Sequence, residues 1–265
     1  MADLFLKQSK QYSEGRPDYP DQLFHFISSH TPSHDLAWDV GTGTGQAAKS
    51  LAKAYKNVIA TDTSPKQLEY AEKLSNITYQ CTPQTMSISD IHNCIGSEST
   101  FDLITIAQAM HWFHLPTFYN HVNHLLKKPA GAIAAWCYTL PEVNPAVDKL
   151  LNRFYNNDVG PYWESARTLV DEKYKTIDFP FDPVDGLESN GPFRFNSEKV
   201  MDLDKYIVYL KSWSAYHTAK GKGVELLTEN LIQDFKKAWD GEDGQTQKIV
   251  VFPIYLRFGK VGSAN

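Results

Sequence analysis

Cysteine is scarce. The 265 residues hold three, Cys81, Cys94 and Cys137, spaced too widely for a CxxC metal knuckle or a disulfide framework. A reducing compartment, the cytoplasm, is the expected location. No apolar run approaches the ~18 residues of a membrane span, and residues 1–12 contain no apolar core of signal-peptide length. Positive charge is not in excess either: 26 Lys and Arg stand against 31 Asp and Glu, a net charge of −5. A protein that coats nucleic acid or an anionic membrane needs the opposite balance. The expected partner is therefore a small-molecule substrate, with no nucleic acid and no membrane, bound by a monomer or homodimer. Internal repeats and low-complexity tracts are missing as well. What the chain does hold is core material, 42% apolar and 13% aromatic residues, which excludes disorder as its main state.

Along the chain, strand and helix patterns alternate. Apolar runs at 36–40, 57–61, 77–81, 101–107 and 131–138 read as buried strands. Between them, 46–55 has helical spacing. Ser64-Pro65 reads as an N-cap with proline at the first helical position, and 115–126 is a helix stopped by Lys127-Lys128-Pro129. Five strands separated by helices predict a parallel sheet covered on both faces. Beyond Tyr138 the rhythm breaks. Residues 141–190 are rich in proline and aromatic residues and predict an irregular, partly helical insertion. A strand at 193–201, helices at 203–213 and 224–239, and a long final strand at 248–260 follow. This last strand is antiparallel by preference, with Pro253 pointing to a bulge or an edge. The divisions expected are an N-terminal segment over 1–35, a cofactor-binding core over 36–140, a lid or substrate region over 141–245 and a closing strand over 246–265.

The chemistry concentrates at Asp39-Val40-Gly41-Thr42-Gly43-Thr44-Gly45-Gln46, between the first strand and its helix. Alternating glycines let the backbone turn sharply and let a ligand approach the main chain. Asp62 ends the second strand, a neighbouring point at the sheet's carboxyl edge, where a carboxylate can accept both hydroxyls of a ribose. A dinucleotide fingerprint, GxGxxG, needs a small residue where Gln46 stands. The observed pattern is GxGxG preceded by the acid Asp39, which would attract a cationic amino-acid tail. The spacing favours S-adenosyl-L-methionine over NAD.

Taken with the 104–113 segment and 12–20, these motifs resemble class I S-adenosylmethionine-dependent methyltransferases. They are most similar to the subgroup of fungal trans-aconitate methyltransferases and their plant and yeast relatives. That subgroup's Tyr…Arg-Pro-x-Tyr-Pro is matched by Tyr12, Arg16, Pro17, Tyr19 and Pro20. Its His-Trp-Phe is matched by His111, Trp112 and Phe113, and its Trp-x-Tyr by Trp136 and Tyr138. The resemblance spans residues 10–140 and is looser beyond, where Trp213-Ser214-Ala215-Tyr216 retains it. It implies that Gly41, Thr42 and Gly43 line the methionine part of the cofactor, and that Asp62 takes the ribose. Thr63 and Ser64 would flank the adenine, and Thr82, Pro83 and Gln84 would meet it through the backbone. Members often carry an acid where Gln84 stands, so no side-chain role transfers there. Ala107 and Gln108 would close the floor under the sulfonium, and Tyr12 and Tyr19 would fold over the cofactor.

The resemblance thus implies a Rossmann-like α/β fold: a seven-stranded, mostly parallel sheet with one antiparallel strand, helices on both faces and a helical lid. Methyl transfer from a sulfonium is an in-line displacement, so alignment and exclusion of water are the main requirements. A carboxylate acceptor needs no base, whereas a phenol or an amine calls for one. His111 is the best-placed base, and packing beneath the cofactor is its other reading. Substrate contacts are expected from Tyr12, Arg16, Trp112, Trp136, Tyr138, Trp163, Trp213, Tyr216 and His217, each of which also reads as ordinary core or turn. Arg167, Arg194 and Arg257 could hold an anion. The spacing of His114, His121 and His124 makes no metal signature. The first expectation is O-methylation of a carboxylate. Methylation of a phenol or amine with His111 as base, or a non-catalytic binding protein on the same fold, are the alternatives.

Overall fold

The computed structural model describes residues 16–241 and 244–262. These divide into two compact units. One comprises Tyr19–Tyr138, Leu169–Phe195 and the stretch from Ile254, and carries the cofactor motifs. The other comprises residues 16–18, Thr139–Thr168 and Asn196–Pro253.

In the first unit, α1 (Asp21–Ser29) leads into alternating strands and helices: β1 (Leu36–Val40), α2 (Gln46–Leu51), β2 (Asn57–Asp62), α3 (Pro65–Glu69), β3 (Ile77–Cys81), α4 (Ile88–Cys94), β4 (Leu103–Ala107), α5 (Leu115–Leu125) and β5 (Ala132–Tyr138). Ser64 accepts a hydrogen bond from the Gln67 amide, so the Ser-Pro helix start forms as the sequence predicts. Helix α4 has no counterpart among the expected elements. It is opened by a capping box in which Ser87 and Asp90 satisfy each other's amides. The strand expected from 101 begins at Leu103, leaving Phe101 in an isolated bridge to Leu126.

In the second unit, α6 (Pro145–Arg153) runs into a π-helical turn over Phe154–Val159 and a 3-10 turn over Gly160–Tyr162. After α7 (Arg167–Asp171), which ends in the first unit, come β6 (Phe193–Met201), which begins in the first unit, α8 (Leu203–Lys211), α9 (Ser214–Gly221), α10 (Glu229–Trp239) and β7 (Lys248–Lys260), which from Ile254 belongs to the first unit. The expected 224–239 helix starts at Glu229, because Thr228 accepts from the Leu231 amide and sets the end. Leu231, Phe235 and Trp239, four residues apart, form its buried stripe.

The seven strands form one sheet in the order β3-β2-β1-β4-β5-β7-β6. The first five pair in parallel, and β7 runs antiparallel to β5 with Tyr138 opposite Ile254. Because β1 and β4 are neighbours, the strand order reverses between them. Loops leaving their carboxyl ends flank the crevice where open α/β sheets bind ligands. On one face, Trp38, Ile104, Ile106, Ile133 and Cys137 pack with Ile91 of α4, Phe118 and Val122 of α5, and the 170–181 stretch. That stretch falls within the expected 141–245 substrate region, yet Tyr174, Phe179 and Phe181 are buried in the sheet's own core.

Candidate functional site

The glycine loop is built by its neighbours. Gly41, Gly43 and Gly45 have φ of +67°, +59° and +81°, where a side chain is strained. The surroundings exclude one as well. A Cβ at Gly41 would lie 2.8 Å from Cβ of Ala109, and one at Gly43 2.8 Å from Oε1 of Gln67. At Gly45 it would run into the Tyr79 hydroxyl. The loop after β1 therefore touches the loop after β4, and the Thr42 amide ties it to β2 through the Thr61 carbonyl at 2.9 Å. Gln67 and Tyr79 escaped the sequence reading. Tyr79 shares the period-2 face of β3 with Ile77, the signal that could have flagged it.

Asp62 bridges two turns. Its Oδ2 accepts from the Gly43 amide at 2.8 Å and its Oδ1 from the Ser64 amide at 2.8 Å, and the Thr82 amide donates to its carbonyl. Residues 43, 62, 64 and 82 thus meet at one point. Pro83, Gln84 and Thr63 stand exposed beside them. Asp39 is placed differently from the expectation. It is 0% exposed, accepting from Thr42 Oγ1 at 2.5 Å and Thr105 Oγ1 at 2.6 Å. Burial pushes its carboxyl up to about 6, with the hydroxyls opposing. Its carboxylate is sealed behind the loop, and Thr42 turns its side chain inward to it.

After β4, Ala107 is followed by Gln108 at φ +57°. The Gln108 side-chain oxygen accepts from the Tyr138 amide at 2.7 Å, an internal strand-end bond rather than an open contact. A 3-10 turn over Met110–Trp112 then holds His111 half-buried, with Nδ1 2.8 Å from the Tyr174 hydroxyl. Trp112 is 51% exposed. Trp136 is buried on β5, edge-on to Tyr19 at 5.4 Å and to Phe24 at 5.9 Å, and its indole nitrogen meets no partner among the described residues.

These residues fit S-adenosylmethionine. The loop admits backbone approach where no Cβ can stand. A carboxylate has about four lone-pair sites, and the two amides occupy one on each Asp62 oxygen, leaving capacity for a diol. The Tyr79 hydroxyl, against Gly45, is buried and meets no partner among the described residues. The methyltransferase-domain family matches residues 37–129. A Dictyostelium discoideum protein described as a methyltransferase is 33% identical over 263 residues, covering 97% of this chain and 95% of its own length. The chain belongs to the class I S-adenosylmethionine-dependent methyltransferases. A Saccharomyces cerevisiae protein described as an S-adenosylmethionine-dependent methyltransferase is 27% identical over 79% of each chain. A solved structure from Anaeromyxobacter dehalogenans, described as a type II methyltransferase, superposes with a TM-score of 0.79 at 28% identity, over 94% of this chain and 99% of that one.

Arg16, Trp163, Arg167, Trp213, Tyr216 and His217 of the methyltransferase lie in the second unit. Arg16 donates to the Ser212 carbonyl at 3.0 Å, and Lys199 donates to the Arg16 carbonyl. Trp163 and Trp213 sit 5.6 Å apart with Tyr155 beside both. The Arg167 guanidinium lies 4.7 Å from the Trp163 ring and donates to the Tyr155 hydroxyl. Tyr216 donates to Glu225, and burial, aided by the Arg16 charge, holds the neighbouring His217 below the usual imidazole range. Tyr12 lies outside the described residues. Arg257, expected as an anion holder, is buried in the first unit, donating to the carbonyls of Tyr174, Ile177 and Asn190. His121 is buried on α5, and His124 faces His92 at 2.5 Å. Among the described residues no three-ligand metal group forms, and no helix is long and apolar enough to cross a membrane.

Proposed function

We propose that this methyltransferase O-methylates a carboxylate of a small organic acid. S-adenosylmethionine, when bound, supplies a methyl carbon on a cationic sulfur that leaves as a neutral thioether. The protein's part is to hold the acceptor oxygen in line with that methyl and to keep water out. The observation that carries the reading is what stands at the glycine loop. Asp39 is sealed behind it and Asp62 is bonded to two backbone amides. His111 is then the one ionisable side chain on the 108–113 turn. A carboxylate needs no base, and it is the acceptor in the subgroup that the sequence resembles. The cofactor contacts proposed are Tyr19, Gly41, the Thr42 backbone, Gly43, Asp62, Thr63, Ser64 and the 82–84 backbone. The acceptor contact proposed is His111.

His111 at that turn also supports a second reading, a phenol or amine acceptor with His111 as base. Transfer of labelled methyl to panels of carboxylic acids, phenols and amines separates the two. An ester product, released by mild alkali, is expected. Label on phenols or amines alone would reject the first reading.

A further inference from the structure

Tyr174 is fully buried in the first unit, and the sequence marked it only as one of the aromatics of the irregular 141–190 stretch. Its backbone is in the left-handed region, φ +56°, beside Lys173 at +61°. Bulky L residues seldom stay there unless the surroundings over-determine them. Here they do. The Tyr174 amide donates to the Leu169 carbonyl at 2.9 Å, and Arg257 donates to the Tyr174 carbonyl at 2.9 Å. The Arg257 guanidinium also reaches Ile177 and Asn190, so one buried cation pins the whole bend. The result of this fixed geometry is a phenol aimed at Nδ1 of His111, 2.8 Å away.

The direction of that bond follows from general acidity. A phenol O–H is a stronger acid than a neutral imidazole N–H, and an imidazole nitrogen is a far better acceptor than a phenol oxygen. The favourable arrangement has the phenol donating and Nδ1 accepting. In a neutral imidazole this places the ring proton on Nε2. We propose that Tyr174 is a positioning residue that holds His111 as its Nε2–H tautomer, so that His111 donates a hydrogen bond to an anionic acceptor oxygen and does not act as a base. The inference rests on the reading of His111 as an acceptor contact and sharpens it. A ring presented as a donor suits a carboxylate, steers its oxygen, and gives no help to a phenol or an amine that must lose a proton.

Two measurements test it. Nitrogen NMR of histidine-labelled protein with the demethylated cofactor product bound, above the pH at which the ring is neutral, reports the tautomer without any acceptor. The expected result is Nε2–H in the wild type and a shift toward a mixture of tautomers in Tyr174→Phe. Nδ1–H in the wild type, or an unchanged Nε2–H signal in the variant, overturns the proposal. The second measurement compares His111→Gln with His111→Ala on the best carboxylic acid. The glutamine amide can donate from roughly the place of Nε2, whereas neither variant can serve as a base. Loss of a charge-assisted hydrogen bond to a bound carboxylate weakens its binding by on the order of tenfold to a hundredfold, read in KM and kcat/KM. His111→Ala should show such a rise in KM with kcat little changed, and His111→Gln should recover most of it. Equal KM values for the two variants overturn the donor role, and this arm stands even if Tyr174→Phe does not fold. If no carboxylic acid is methylated, the acceptor reading fails while the NMR arm still decides the tautomer.

Discussion

Asp39 and Asp102 are both buried carboxylates beside neighbouring strands, and their environments shift them in opposite directions. Asp39 meets two neutral hydroxyls, which do not offset its desolvation, so it rises to about 6. Burial pushes Asp102 up too, but it accepts from Lys127 at 2.6 Å, from Ser33 and from the amides of Asp35 and Leu36, and ends below its usual value. The stability consequences follow in sign. Asp102 contributes stability above about pH 4 that is lost as pH falls through its lowered folded value. Asp39, with its folded value raised, contributes stability present below about pH 4 that is lost as pH climbs through about 6. Asp39→Asn removes this titration. Urea denaturation between pH 4 and 6 should show the variant gaining on the wild type as pH rises, by about 2 kcal/mol. Parallel pH profiles would refute it. Asp62 is the other decisive acid. Asp62→Ala removes a charged acceptor whose hydrogen bonds are each worth about 1.5–3 kcal/mol and frees the Gly43 amide. Calorimetry should show cofactor affinity lowered at least about tenfold.

At the scale of elements, α4 shows how local chemistry makes a short helix. Its seven residues bury only Ile91 through the helix itself, so its start depends on the Ser87–Asp90 box. Ser87→Ala should reduce stability by about 1 kcal/mol, read from the urea midpoint, without changing cofactor affinity. The helix was missed because the 82–94 stretch has too few apolar residues for a period to register, whereas its Ser-x-x-Asp signature was available. The final strand was visible because Val250, Phe252, Ile254, Leu256 and Phe258 recur at every second position. The Ser214–Gly221 helix was not anticipated: the expected helix stopped at Trp213 and the next began at 224.

At the scale of the whole molecule, a ligand that binds only the folded state stabilises it by mass action, about 2.7 kcal/mol at a hundredfold excess over Kd. Thermal unfolding should therefore move upward with S-adenosylmethionine or its demethylated product and remain unmoved with NAD. A shift with NAD alone would contradict the family's cofactor at this site. Which residues end up at the loop depends on strand order. The glycine loop and the His111 turn are 66 residues apart in register terms, Asp39 bonding Thr105, and only the β1–β4 neighbour relation brings them together.

The strands, the glycine turn and the position of Asp62 were legible in the sequence, because period, glycine spacing and strand ends are local properties of a chain. The family was legible as a resemblance of these motifs, together with the 12–20 and 104–113 segments, to class I methyltransferases. Tertiary structure alone decided the rest: that Asp39 is sealed while Asp62 is half-open, that Arg257 is a brace, and that Tyr174 reaches His111. Those outcomes depend on what lies across a packed interior, and desolvation and hydrogen-bond geometry act between residues that no spacing along the chain connects.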